Sequence, residues 1–338
     1  MSNSDADAEG PEHPFAPYLR TLGRGPGRSR ALTREEAGDA LRMVLTGAAD
    51  PHQIGAFLLL LRYRGEDIHE IAGLVDAARE VAGCGPGPRV DLDWPSYGAG
   101  RTRGEPWFLL AALALARAGF RVAMHGSNAF TAGVPVAHAL PQLGLRAARD
   151  RDDAAALIAT TGFAYLPLAA MDAGLDRLLM LRALLGLRSP INTVARLLNP
   201  FDAPASVDGV FHPPYIAVHL GASELLGRHR LLVVKGGGGE AERNPSKPMM
   251  AHLLSAAGRS ELELPALLPG AGRPAEALQA VWTGEAEGSA QAAVLATIAL
   301  GLLAIGAVPP DRADAEALAI WRNRGVRALP RVQRAATA

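Results

Sequence analysis

Two glycine-rich turns and one arginine-rich segment hold the residues of this chain whose types and spacing best suit the handling of a charged ligand. Ser96-Tyr97-Gly98-Ala99-Gly100-Arg101 is followed by Arg103, and Lys235-Gly-Gly-Gly-Gly-Glu240-Ala-Glu242-Arg243 by Lys247. Such turns let backbone N–H groups close on a phosphate, and carboxylates such as Glu240 and Glu242 can hold Mg²⁺ on a diphosphate. The segment from Arg182 to Pro200 adds Arg188, Asn192 and Arg196. A guanidinium fork matches carboxylate and phosphate equally well. His125, which precedes Gly126 and Asn128, suits either a strand-end cap or a ligand contact.

Regular elements must position these residues. Residues 1–28 hold Gly, Pro and acidic residues without apolar periodicity and read as a loose tail. Thr33 with Glu36 forms a capping box that opens a helix through about Thr46. Asp50-Pro51 starts a second helix, which Gly65 ends. A third begins near Glu66 or Asp67, with Ile68, Ile71, Ala72 and Val75 along one face. The short connections imply a small helical bundle over 29–85, joined by helices from about 173–196.

After the linker Cys84 to Pro88, residues 86–338 alternate short apolar runs with helices. Gly119–His125, Phe163–Pro167 and Arg230–Lys235 read as strands, which predicts an α/β sheet with helices on both faces. Ligands bind such sheets at the carboxyl ends of the strands. Ser96 to Gly104, His125 to Asn128 and Lys235 to Ser246 fall on that edge.

Composition narrows the function classes. The chain has 338 residues, 49% hydrophobic and 20% charged, which describes a folded protein with room for two cores. Cys84, the single cysteine, excludes an internal disulfide framework and suits a reducing cytoplasm. The acidic, polar opening does not read as a signal peptide. The apolar run Ala292 to Val308 is interrupted by Thr297, Gly301 and Gly306 and falls short of the ~20 residues of a bilayer span, so it reads as a buried helix. Net charge is zero, yet Lys235 and Lys247 are the only lysines among 34 basic residues. GC-rich codon usage explains the arginine total but not its placement.

The segment Arg182-Ala-Leu-Leu-Gly-Leu-Arg188-Ser-Pro-Ile-Asn192-Thr-Val-Ala-Arg196-Leu-Leu-Asn-Pro200 resembles the long signature of anthranilate phosphoribosyltransferases of glycosyltransferase family 3. Gly209-Val-Phe-His212-Pro213 matches as well. The resemblance implies a phosphoribosyltransferase- or nucleoside phosphorylase-like fold with a central, mainly parallel sheet. It puts Arg182 where the family meets the anthranilate carboxylate. Departures accompany it. Arg101 stands near the acid of the family's Gly-Thr-Gly-Gly-Asp turn, Met124 at the lysine of its Lys-His-Gly-Asn motif, and Ala241 splits its paired metal-binding acids. The details of Ser-Tyr-Gly, Met-His-Gly, Leu-Gly-Leu-Arg-Ser-Pro and Lys-Gly-Gly-X-Gly-Glu resemble a YbiB-like branch, homodimeric relatives that bind nucleic acid without marked sequence preference.

Lost acids and added arginines together favour a non-enzymatic, sequence-tolerant binder of nucleic acid, single-stranded DNA above all. It would be a homodimer through its N-terminal helices, with no membrane segment and no cofactor. Arg101, Arg103, Arg182, Arg188, Arg196, Lys235, Arg243 and Lys247 would hold phosphates. The turn residues Ser96, Tyr97, Gly98 and Gly100, with His125, Asn128 and Asn192, would line the cleft. Flanking arginines at 20, 24, 28, 30 and 34 and at 322, 324, 327, 331 and 334 read equally as phosphate contacts or as solvated surface. Tyr97, Trp107 and Tyr165 suit base stacking as a group and core packing singly. The alternative is an active Mg²⁺-dependent glycosyltransferase using phosphoribosyl diphosphate, with Glu240 and Glu242 on the metal.

Overall fold

A computed structural model of the chain describes residues 11–25, 27–98, 104–127, 129–270 and 276–325. Four helices open it: α1 (Ala16–Gly23), α2 (Arg34–Leu45), α3 (Pro51–Arg64) and α4 (Ile68–Val81). The capping residues do what their types predict. Thr33 accepts from the Glu36 amide while Glu36 reaches back to the Thr33 amide, and Asp50 and Gln53 repeat the arrangement on α3. Asp67 caps α4. Gly73 brings α4 against the start of α2: a Cβ there would lie 1.9 Å from the Arg34 carbonyl oxygen.

The remaining described elements build the larger unit. In chain order they are β1 (Leu92–Ser96), α5 (Trp107–Arg117), β2 (Val122–Gly126), α6 (Val136–Ala139), α7 (Arg151–Thr161), β3 (Phe163–Pro167), α8 (Leu168–Met171), α9 (Ala173–Met180), α10 (Arg182–Leu185) and α11 (Ile191–Arg196). Then follow β4 (Ala205–Val210), α12 (Pro214–Leu225), β5 (Arg230–Lys235), β6 (Met249–Ser255), β7 (Gly258–Leu264), α13 (Leu278–Thr283), α14 (Ser289–Ile305) and α15 (Ala313–Arg322).

The sheet runs β3-β2-β1-β4-β5-β6-β7. Its first five strands are parallel, and the last two form an antiparallel hairpin on the β5 edge. The expected α/β architecture with a mainly parallel sheet is therefore present. The largest apolar core sits between β1, β2, β4 and β5 and the helices α5 and α14. Helix α14 absorbs the apolar run near residue 300, and most of its residues are buried. No described helix is long and apolar enough to cross a membrane. A second core joins α1 to α4 with Leu175, Leu178, Leu179, Ile191 and Val194, so α9 and α11 pack with the bundle; α1, with Phe15 and Leu22 buried in that core, corrects the reading of residues 1–28 as a loose tail.

The chain passes from β1 outward through β2 and β3, then returns to lay β4 on the other flank of β1. That reversal makes a crevice between the carboxyl ends of β1 and β4, where α/β sheets of this kind receive ligands.

Candidate functional site

Arg196 fills that crevice. It ends α11, is 7% exposed, and donates to carbonyl oxygens at three strand ends. Its Nη2 reaches Tyr97 O at 2.7 Å and Gly239 O at 3.5 Å, Nε reaches Gly209 O at 3.2 Å, and Nη1 reaches Asn192 O at 2.8 Å. Burial pulls its pKa down, with the charges of Glu240 and Asp208 opposing the drop. The expectation that Arg196 holds a phosphate is corrected: its donors are spent on the protein's own carbonyls.

The acids of the second glycine turn are engaged as well. Glu240 is 3% exposed and accepts from Ser96 Oγ at 3.1 Å. Gly98 grazes it, since a Cβ at that position would lie 2.3 Å from Glu240 Oε1. Glu242 accepts from the Phe108 amide at 3.1 Å and so caps the start of α5. A helix N-terminus beside a glycine turn is where a phosphate would seat. Here the chain supplies that negative charge itself. Among the described residues there is no group of three or more His, Cys, Asp or Glu able to hold a metal ion.

Other expectations also change once burial is known. Arg243 is 1% exposed and bonded to Asp314 and the Pro265 carbonyl, so it is a structural tie and not a phosphate ligand. His125 is fully buried, with Nδ1 2.9 Å from the Tyr97 hydroxyl and Nε2 3.3 Å from Asp93, which removes it from the cleft. Tyr97, Trp107 and Tyr165 are core residues and offer no stacking face. Arg20, Arg30 and Arg34 pair with Glu12, Glu36 and Asp76, and Arg324 is buried against Trp321. Arg24, Arg28 and Arg322 are exposed. Gly100, Arg101, Arg103, Asn128, Arg327, Arg331 and Arg334 lie outside the described residues.

Four of the expected cations keep an outward role. Lys235 and Lys247 are exposed, and neither has an ion pair among the described residues. Arg182 lies over the Phe130 ring, 4.7 Å from its centroid. Arg188 lies over Phe211 at 5.6 Å and borders a cavity of about 60 Å³ between the bundle and the end of β4. Partial burial and the neighbouring charges of Arg182, Arg196 and Arg62 push the Arg188 guanidinium down to about 10. Among the described residues Arg188 has no carboxylate bonded to it, so its charge is left to its aromatic neighbour and to solvent.

The same cavity contains groups that sequence spacing did not single out. Glu66, just before α4, accepts from Thr193 Oγ1 at 2.6 Å and from the Tyr215 hydroxyl at 3.2 Å. Burial raises its carboxyl above the usual range, against the pull of those hydrogen bonds and of Arg62. His219 also lines the cavity, beside Asn192, which the sequence does place in the cleft. In the sequence Glu66 reads only as a helix start, and His219 lies on a helix without any motif around it.

Residues 16–82 match the helical bundle domain of the glycosyl transferase family, and residues 108–318 match its a/b domain. Anthranilate phosphoribosyltransferase from Methylocella silvestris is 31% identical over 232 residues, 69% of this chain and 65% of that protein. The enzyme of the same name from Methylococcus capsulatus is 31% identical, covering 68% of this chain and 67% of its own length. The chain spans less than two thirds of the length of several curated relatives it matches. Among solved structures, anthranilate phosphoribosyltransferase from Thermus thermophilus superposes with a TM-score of 0.75 and 27% identity, over 93% of this chain and 95% of that one. The Saccharomyces cerevisiae enzyme in complex with PRPP and Mg shares the fold, with a TM-score of 0.69 and 16% identity over 93% and 97%.

Proposed function

Since the chain belongs to the glycosyl transferase family whose bundle and α/β domains it carries, we propose that it transfers the sugar of a phosphoribosyl diphosphate-class donor. Arg188 carries the proposal: a half-buried guanidinium, crowded by like charge, at the mouth of a cleft on the sheet's ligand-binding edge. Diphosphate oxygens would relieve that crowding. The similarity to anthranilate phosphoribosyltransferases supports the donor class. The residues present do not fit a resident magnesium ion, because Glu240 is tied to Ser96 and Glu242 to the head of α5. No step is therefore assigned to a bound metal.

Calorimetric titration of phosphoribosyl diphosphate, with and without Mg²⁺, tests the donor site, and release of diphosphate tests turnover. Binding that weakens tenfold or more in Arg188→Gln is expected. Absence of both binding and consumption sinks the proposal.

A second possibility has its own observation. Lys235 and Lys247 are exposed beside the cleft and unpaired among the described residues, as a sequence-tolerant binder of single-stranded nucleic acid of the YbiB-like kind would need. Salt-dependent oligonucleotide binding without sugar transfer would select it. A homodimer through the N-terminal helices belongs to the same proposal, and sedimentation equilibrium checks it.

A further inference from the structure

A cavity of about 300 Å³ opens in the wall of the helical bundle, where α9 meets the end of α2 and the start of α3. It lies at the head of α3, whereas Arg62, near the other end of that helix, borders the strand-end cleft. Val44 and Leu45, Pro51 and Ile54, and Leu178 and Leu181 supply its sides. Val44 and Leu178 belong to the bundle core, and Leu45, Ile54 and Leu181 pack against it. The cavity is thus a gap in apolar packing, and close-packed protein interiors hold few voids larger than a water molecule.

Gly174 helps to keep the gap open. It lines the cavity without a side chain, and a Cβ there would lie 3.0 Å from Asp172 Oδ1 and 3.3 Å from Leu45 Cδ2. One charged side chain serves the space. Arg177 lines it, is exposed, and has no ion pair among the described residues. Asp172, at the head of the same helix, spends its carboxylate on the Leu175 amide, and Asp176 does not line the cavity. Apolar walls with one placed polar group, around roughly 300 Å³ or more, are the make-up of a small-molecule site.

The lining also selects its occupant. It has no aromatic ring for a base to stack on, and no side chain other than Arg177 can hydrogen-bond. Sugars and nucleotides would leave buried polar groups unpaired there. A planar guanidinium fork matches a carboxylate, whereas one cation leaves a phosphate monoester half compensated.

We propose that this cavity binds a medium-chain aliphatic carboxylate, its hydrocarbon tail against Val44, Leu45, Ile54 and Leu178 and its carboxylate on the Arg177 guanidinium. The tail supplies most of the affinity, since each CH₂ buried is worth about fourfold. The charge pair faces solvent, which screens it, and adds about fivefold. This site stands apart from the sugar-transfer proposal and does not depend on it.

Calorimetric titration of the full chain with hexanoate, octanoate, decanoate and dodecanoate, each below its micelle-forming concentration, tests the site. Affinity should climb about fourfold for each added CH₂ and level off once the cavity is full. Saturation should come at one carboxylate per chain. Arg177→Gln should weaken decanoate about fivefold and leave 1-decanol binding unchanged. A diazirine-bearing decanoate should label the unaltered protein within residues 44–54 and 174–181. Affinity that rises with chain length without levelling off, equal losses of decanoate and decanol in Arg177→Gln, or labelling confined to other segments overturns the proposal. Absence of saturable binding overturns it too, and a dimer in sedimentation equilibrium would then assign the cavity's cover to a second copy of the chain.

Discussion

Two guanidinium groups eight positions apart in one segment do opposite work. Arg196 is closed in by carbonyls from residues 97, 192, 209 and 239, whereas Arg188 opens onto a cavity. Replacing Arg196 with Met would strand several buried carbonyl oxygens at about 1–3 kcal/mol each, enough to threaten folding. Urea denaturation should show a loss of about 3 kcal/mol or more. Arg188→Gln should change stability by less than ~1 kcal/mol while anion affinity falls at least tenfold, because its charge is crowded by like charge before any anion binds. Equal stability losses in the two variants would contradict this division. Residue type was legible in the sequence, but orientation was not. The acceptors of Arg196 come from three separate strand ends, a convergence that no local spacing reveals.

Helix starts were the most legible elements, since a cap is a contact between near neighbours. Thr33, Asp50 and Asp67 each occupy the N-cap their types predict. Strands were harder. The stretch that forms β1 contains Asp93 and Pro95, and the one that forms β4 contains Asp208 and Gly209, residue types that ordinarily argue against a central strand. Burial between flanking helices overrides that preference. The β6–β7 hairpin was missed because its turn, Ala256-Ala257, lacks the usual signals.

The α2 cap makes a prediction with a sign. Arg30 holds the Glu36 carboxyl down to about 2 from an ordinary 4.5, aided by the Thr33 amide. A depressed carboxyl stabilises the fold fully above its unfolded value and loses that contribution as pH falls from about 4.5 towards 2. Arg30 is exposed and solvent screens the pair, so the expected effect is small. Thr33→Ala should cost about 1 kcal/mol at neutral pH. Glu36→Gln should flatten the acid limb of stability measured between pH 5 and 2.5, and an unchanged limb would assign it elsewhere.

At the scale of the molecule, part of the arginine content is neutralised within the chain. Arg34 with Asp76, Arg42 with Glu80, Arg79 with Asp202, Arg146 with Asp153, Arg243 with Asp314 and Arg259 with Glu224 are all ion pairs. Near the cleft, Arg188, Lys235 and Lys247 have no ion pair among the described residues. These three set the least that a polyanion can engage there. Each phosphate neutralised on a single strand contributes about −0.7 to the slope of log affinity against log salt, so three cations give a slope of about −2. Fluorescence titrations of a labelled single-stranded oligonucleotide at several salt concentrations should return that shallow value. Replacing Lys235 and Lys247 together with Gln should reduce it by about 1.4. A slope steeper than about −4 would mean that a polyanion recruits cations beyond these three, and the cleft would then be one part of a longer binding path.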